Sequence, residues 1–387
     1  MTENLRTSPL HPVHEAAGAS FTDFGGWNMP LKYGSELAEH KAVRSSAGIF
    51  DLSHMGEVRV TGAQAPQFLD HALSSILSTL KPGRAKYGLC LNENGTILDD
   101  LIVYRMDAGD GATPEYLVVP NAGNAPAVVA ALTERAADVE AQVQDESATT
   151  ALVAVQGPGS EKILAAAMPE HAEALAELKY YAHVTLHVPT DAGNVEVLVA
   201  RTGYTGEDGF ELFIPAESAE QAGDLGSAVW TAMVRAAEAA EIALTPCGLA
   251  ARDSLRLEAG MPLYGNELDA QHQPHESGVS FAVPGSKEAS FVGQDALTAK
   301  DDVAEVLVGL QGEGRRAARS GYTVQDEAGN AVGTVTSGAP SPTLGYPVAM
   351  ARVAREHAEI GTRLLVDLRG KGETFTVVGL PFYRRER

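Results

Sequence analysis

Two adjacent carboxylates, Asp99-Asp100, stand between the apolar runs Ile97-Leu98 and Leu101-Ile102-Val103-Tyr104. Successive residues of a strand face opposite ways, so at most one of the two points into the interior. A carboxylate there costs several kcal/mol unless it is paired or hydrogen-bonded. One that is kept there is suited to hold or move a proton, because burial raises its pKa toward neutral. The plainer alternative is a strand-end pair on a solvated edge, and the residues alone leave it open.

Three further segments carry chemically useful side chains. Arg201-Thr202-Gly203-Tyr204-Thr205-Gly206-Glu207-Asp208-Gly209-Phe210-Glu211 has glycines spaced for a loop that turns tightly or is closely approached. No Gly-Lys-Ser/Thr follows, so it is not a phosphate-binding loop of the Walker kind. Tyr204 can stack on a ligand ring, and Glu211, at the start of a strand, can accept hydrogen bonds. In Gly248-Leu249-Ala250-Ala251-Arg252-Asp253-Ser254-Leu255-Arg256-Leu257-Glu258, Arg252 and Arg256 are four apart and share a helix face. Their guanidinium groups suit bidentate carboxylate contacts, with Asp253 and Glu258 as internal partners in the plainer reading. In Asp51-Leu52-Ser53-His54-Met55-Gly56, His54 is a candidate general base near neutral pH, although a lone histidine is more often structural, and Met55 can line an apolar pocket.

The elements that must position these residues follow from periodicity and turn chemistry. Residues 35–45 read as a helix capped by Ser35. Residues 57–60, 85–91, 96–106, 116–119 and 140–143 read as strands, and 63–74 and 122–137 as helices. Asn92-Glu93-Asn94-Gly95 is a strong hairpin turn between two of the strands. Residues 55–145 thus form an α+β unit on an antiparallel sheet. The pattern restarts at Thr149 with a strand and a helix. A hairpin of 184–189 with 195–201, a strand at 210–214, and helices at 216–241 and 249–258 complete this part. Beyond Lys300 short strands with glycine turns dominate, at 306–310, 322–325, 331–336, 364–368 and 374–378, the pattern of a small β-barrel or jelly roll.

Composition narrows the function. Of 387 residues, 44% are hydrophobic and 21% charged, an ordinary globular balance with length enough for two or three domains. The formal net charge of −22 repels a phosphate backbone, so nucleic acid is not an expected partner. No apolar run approaches the roughly eighteen residues of a membrane span, and the first residues lack the apolar core of a signal peptide. Cys90 and Cys247 are far apart and in no CxxC pair, so neither a disulfide framework nor a zinc site is expected, and a cytoplasmic setting fits.

Together the segments resemble the aminomethyltransferase, or T-protein, family of the glycine cleavage system, from about Leu10 to Tyr383. The matching blocks are Phe24-Gly25-Gly26-Trp27-Asn28-Met29-Pro30, the run from Phe50 to Met55, Asn92 to Asp100, Arg201 to Gly209, Gly248 to Gly260, and Thr336 to Gly345. The chain departs from the family pattern in small ways: Thr96 stands where a second glycine usually follows the hairpin turn, and Ala250 where the helix usually has glycine. The resemblance implies an α+β fold of three domains in a cloverleaf around a folate channel. A split first domain of 1–54 plus 146–285, a ferredoxin-like second domain of 55–145 and a C-terminal barrel of 286–387 are the expected pieces. It also implies tetrahydrofolate as co-substrate, without a metal, and a lipoylated H protein as partner.

By the same resemblance Asp100 matches the acidic residue beside the pterin and is the expected catalytic group. Met55, Tyr87, Ile102, Tyr104, Val119, Asn121, Tyr180 and Tyr204 match the walls of the folate pocket. Glu211 and Arg252 match its p-aminobenzoyl-glutamate end, which supplies the local positive charge that an anionic substrate of so acidic a chain requires. The donor implied is an aminomethyl group on the dihydrolipoyl arm of H protein. Two other functions stay open at this stage: a folate enzyme that takes its carbon from a free small molecule, and a folate-binding protein that assists iron–sulfur assembly. The second carries a Lys-Gly-Cys-x-x-Gly block that this chain lacks.

Overall fold

A computed structural model describes residues 5–107, 109 and 111–385. The chain divides into two compact units. The first comprises Met1–Leu69, Leu77–Lys86 and Leu101–Arg252; the second comprises Asp70–Ile76, Tyr87–Asp100 and Asp253–Arg387.

The centre of the first unit is a six-stranded sheet in the order His183–Thr190, Gly193–Ala200, Gly209–Pro215, Thr150–Gln156, Ala47–Asp51 and Leu244–Pro246. Thr150–Gln156 and Ala47–Asp51 are buried along their whole length. That continuous burial explains why Thr150–Gln156 reads as an apolar run rather than an alternating one. The helix Ala219–Ala239 lies against this sheet. Its buried residues Ala222, Gly226, Val229, Trp230, Met233, Ala236 and Ala237 recur at helical spacing, and Ser218 caps it by accepting from the Gln221 amide. Ile163 and Leu164 of a second helix, Ser160–Ala167, enter the same core. The expected hairpin at 184–201 forms as His183–Thr190 with Gly193–Ala200.

Ser35 caps the helix Glu36–Ser45, its hydroxyl accepting from the Ala38 amide, as the sequence indicates. A three-stranded sheet of Arg6–Thr7, Trp27–Lys32 and Ser20–Phe24 was not legible in the sequence. Its strands are short, and one pairing is parallel.

A five-stranded sheet has the order Arg84–Leu91, Ile97–Arg105, Glu115–Pro120, Val58–Thr61 and Gln142–Asp145. Each of these strands lies within two residues of its expected position. Along Ile97–Arg105, Ile97, Asp99, Leu101 and Val103 are buried, while Leu98, Asp100 and Ile102 are half-buried. The period is that of a strand with one covered and one open face.

In the second unit six strands close into a barrel. Glu305–Gly312 pairs with Pro347–Ala354, then follow Ala331–Pro340, Thr323–Gln325, Arg363–Asp367 and Gly372–Val378, which returns to the first. The expected C-terminal barrel is therefore present. One of its strands, Pro347–Ala354, escapes sequence reading because nearly all its residues are buried and no alternation marks it.

Candidate functional site

In the first unit the glycine-rich loop is shaped by one buried side chain. The Gln156 amide donates to the Thr202 carbonyl at 3.1 Å, and the Thr205 hydroxyl donates back to Gln156 Oε1 at 2.8 Å. A Cβ on Gly203 would lie 2.0 Å from Gln156 Oε1, and one on Gly209 would lie 2.3 Å from Gln156 Nε2. A side chain at either position would therefore displace the Gln156 amide and break the hydrogen bonds it makes to the loop. Arg44 clamps the same loop from outside, donating to the Thr205 carbonyl at 2.7 Å and to Glu207 at 2.9 Å. Arg201 holds Asp208 and Glu161.

This rigid loop sets out two of the expected ligand residues. Tyr204 lies under the guanidinium of Arg252, which is 4.8 Å from the ring centroid. Burial lowers the pKa of Arg252 from its ordinary value, opposed by the nearby Glu211 and Tyr204. It remains a cation, since arginine starts so high. Glu211 is buried and accepts from the Thr202 hydroxyl and, at 3.4 Å, from Tyr104. The Tyr104 and Thr202 hydroxyls are 3.1 Å apart, and burial beside Glu211 pushes the Tyr104 phenol well above its usual range. Tyr104, Thr202 and Glu211 are thus one hydrogen-bonded cluster. Thr202, its middle member, was not singled out as a site residue, although it lies inside the recognised Arg201 to Gly209 block.

The remaining residues expected in this unit stand on neighbouring elements. Ile102 pairs in register with Val119, so the two share a sheet face. Asn121 follows that strand, and its carbonyl accepts the amides of Asn124 and Ala125 where the helix Ala125–Arg135 begins. Met55 ends a turn closed by its amide on the Leu52 carbonyl at 2.9 Å, and the next amide, of Gly56, reaches the Pro120 carbonyl at 3.0 Å. Any Cβ at Gly56 would strike Ala125 and Pro120. Tyr180 is 49% exposed and meets Tyr181 edge-on at 4.9 Å. Tyr181 has φ of +57°, a left-handed conformation unfavourable for a tyrosine.

His54 is buried, edge-on to Phe24 at 5.4 Å, and its Nδ1 has no hydrogen-bond partner among the described residues. Burial, and then the charge of Arg252, pushes its pKa down to about 4 against the opposing pull of Asp51. The shift favours the neutral imidazole.

In the second unit the Tyr87 hydroxyl donates to the Asp100 carboxylate at 3.1 Å. Asp99 is fully buried while Asp100 is only half-buried, which resolves which of the two adjacent carboxylates faces outward. The hairpin that bears Asp100 is anchored by the Ile97 amide on the His272 carbonyl, by Thr96 Oγ1 on the Ala270 carbonyl and by Tyr264 on the Ile97 carbonyl. Arg256, the second arginine of its helix, is buried against Glu267 at 2.9 Å and also takes Asp253 and Ser337. Of the two partners expected, Asp253 is bonded to it, and Glu258 accepts from Ser341 and Thr343. Among the described residues no cluster of three or more His, Cys, Asp or Glu is placed to hold a metal.

The first unit thus sets a guanidinium over an aromatic ring near a buried carboxylate, and the second sets a half-buried carboxylate against a phenol. Comparison with known proteins makes the assignment specific. Residues 10–287 match the GCVT N-terminal domain, and residues 306–384 match the glycine cleavage T-protein C-terminal barrel domain. An aminomethyltransferase of Streptomyces coelicolor is 52% identical, with 99% of each chain covered, and one of Cutibacterium acnes is 51% identical over 98% of this chain and 99% of its own. The crystal structure of the glycine cleavage system aminomethyltransferase T from Bartonella henselae superposes with a TM-score of 0.86 at 37% identity, covering 98% of both chains. The chain belongs to the glycine cleavage T-protein family and is an aminomethyltransferase of the glycine cleavage system.

Proposed function

We propose that the chain transfers the methylene carbon of an aminomethyl group, carried on the dihydrolipoyl arm of a lipoylated H protein, to tetrahydrofolate. Ammonia leaves, and the products are 5,10-methylenetetrahydrofolate and the free dihydrolipoyl thiol. In this reading N5 of the folate attacks the methylene carbon and N10 then closes onto it.

The observation that carries the reading is the division of labour between Asp99 and Asp100. One carboxylate is sealed in and the other is half-open, with Tyr87 donating to it at 3.1 Å. A carboxylate has about four lone-pair positions, so it can keep the Tyr87 bond while accepting an N–H from a substrate ring. Asp100 orients the pterin and takes part in proton transfer at the reacting nitrogens.

The other residues fit a folate by their chemistry. Met55, Ile102 and Val119 offer apolar surface, Tyr104, Tyr180 and Tyr204 offer rings, and Asn121 offers a polar edge. Arg252, held beside Glu211, receives the carboxylates of the glutamyl end, for which a guanidinium fork is suited. Holding both reactants in line contributes up to roughly 7–11 kcal/mol to lowering the barrier.

The decisive experiment is ammonia release from aminomethylated H protein, with and without tetrahydrofolate, by the wild type and Asp100→Asn. Folate-dependent release that falls by about 10²-fold or more in the variant supports both the reaction and the role of Asp100. Absent release from the carrier, with tetrahydrofolate still bound, points instead to a free small-molecule donor.

A further inference from the structure

Among the described residues Phe281 is one of four large hydrophobic residues with an exposed side chain, and at 71% it is one of the two most open. Its ring is stacked on Tyr87, with centroids 5.4 Å apart and planes inclined by 29°. Tyr87 in turn donates to Asp100. A phenylalanine left so open to solvent contributes little to a core. Its flanking residues explain why it is held there. Val279 and Ala282 are buried, at 1% and 2%, in the cluster with Leu89, Leu91 and Ile97, so the turn Ser280–Ala282 is pinned on both sides of the exposed ring.

Both rings hang from one anchor, the segment Asp70–Ile76 of the same unit. Ser74 Oγ donates to the Ala282 carbonyl at 2.7 Å, which fixes the residue after Phe281. Ser75 Oγ donates to the Tyr87 carbonyl at 2.7 Å, which fixes the tyrosine itself. The buried ammonium of Lys287 then ties the segment down, donating to the Leu73 carbonyl at 2.7 Å and the Ser75 carbonyl at 2.8 Å. A cation committed to two carbonyls is a strong constraint, because burying it without them would be costly. The relative placement of the Phe281 and Tyr87 rings is therefore set by adjacent serines of one clamped segment.

From this geometry we infer that Phe281 is a positioning residue for the transfer reaction: its ring fixes the Tyr87 ring so that the phenol is delivered to the Asp100 carboxylate. The phenol swings on two side-chain torsions, and a stacked neighbour removes one range of that motion. The inference rests on reading Asp100 as the group that serves the folate nitrogens.

The test is steady-state ammonia release from aminomethylated H protein with tetrahydrofolate, as a function of pH, for the full-length chain and five variants. Phe281→Leu is expected to lower kcat about fivefold, the size of one aromatic pair, with KM for tetrahydrofolate little changed. Losing an aimed donor also destabilises the ionised carboxylate, so the acid limb of the kcat profile is expected to move to higher pH. Phe281→Trp should restore both. Tyr87→Phe should reproduce the loss, and adding Phe281→Leu to it should cost no more, since the relay has already been cut. Equal loss from Phe281→Leu in the Tyr87→Phe background overturns the inference. So does a change confined to KM, which would mean that Phe281 touches the folate directly. Asp100→Asn separates this from the parent reading: full activity there defeats the role of Asp100, whereas an inactive Asp100→Asn with additive Phe281 and Tyr87 effects defeats only the positioning role.

Discussion

The guanidinium of Arg252 lies over the ring of Tyr204, 4.8 Å from its centroid, and Tyr204 stands on a loop that Gln156 holds by two hydrogen bonds. Stacking of this kind uses the delocalised plane of arginine and leaves the fork of N–H donors at its edge available to a carboxylate. Lysine keeps the charge and loses both the plane and the fork. Arg252→Lys is therefore expected to raise KM for tetrahydrofolate about tenfold or more while kcat changes less, in line with a loss of roughly 1–2 kcal/mol. Initial rates at varied folate, compared between mono- and polyglutamylated forms, check this; an unchanged KM would place the glutamyl end elsewhere.

Thr202 is the hinge of the Tyr104–Glu211 cluster, and its hydroxyl donates to a carboxylate that is only 9% exposed. Thr202→Val preserves shape and removes that donor. A buried acceptor deprived of its partner costs about 1–3 kcal/mol. Urea unfolding should show a loss of that order, and Tyr104→Phe, which removes the longer of the two bonds, should lose less.

Glu57 is fully buried, neither carboxyl oxygen has a hydrogen-bond partner among the described residues, and burial with Asp145 and Glu146 nearby pushes its pKa well above the usual carboxylate range. The folded form then binds a proton that the unfolded form has released, so stability falls as pH rises above about 4.5, by up to about 1.4 kcal/mol per pH unit, until the folded group itself ionises. Glu57→Gln is expected to be more stable than the wild type near neutral pH, with the gap closing toward pH 4.5. Thermal melts across pH 4.5 to 8 measure the gap, and a constant difference would contradict a protonated Glu57.

His54 predicts the opposite slope. Its pKa in the fold is pushed down to about 4 from an ordinary value near 6.5, so the native state binds fewer protons in that window and gains stability as pH rises through it. His54→Gln should remove this dependence. Because the imidazole stays neutral above pH 5, the same variant should leave the shape of the kcat profile between pH 6 and 8 unmoved. An inflection that disappears with His54 would assign it a proton-transfer role.

Arg256 forms a buried pair with Glu267, with side-chain exposures of 1% and 0%. Removing one partner leaves a buried charge, so Arg256→Ala is expected to cost about 3–5 kcal/mol. Arg256→Ala combined with Glu267→Leu should recover part of that loss. Denaturant unfolding of the two variants checks the order.

Much of this was legible in the sequence, and the reasons for the rest are physical. The hairpin Asn92-Glu93-Asn94-Gly95 announced itself because Asn92 Oδ1 takes the amides of Asn94 and Thr96 while Gly95 supplies φ of +74°. The alternation rule limited the inward carboxylates to one, but only the pairing register identifies Asp99 as that one. The strands Ala47–Asp51 and Pro347–Ala354 were missed because Gly48 and Asp51 in the first and Arg352 in the second break the apolar run that marks a covered strand such as Thr150–Gln156, and burial leaves no alternation in its place. Phe281 and Lys287 lie in a stretch without periodicity, where nothing in the residue types shows that a lysine caps two carbonyls. Arg256 was paired with Asp253 and Glu258, the nearest acids in sequence, whereas its buried partner Glu267 is reached by a chain reversal.

The strand order of the two largest sheets also bears on how copies of this chain behave toward one another. The barrel has no unpaired edge, and the two outer strands of the six-stranded sheet, His183–Thr190 and Leu244–Pro246, each contain a proline, Pro189 and Pro246. Proline offers no amide to a further strand. The barrel is thus closed to growth by strand addition, and each outer strand of the six-stranded sheet lacks one donor that an added strand would need, which makes edge-to-edge association there less favourable.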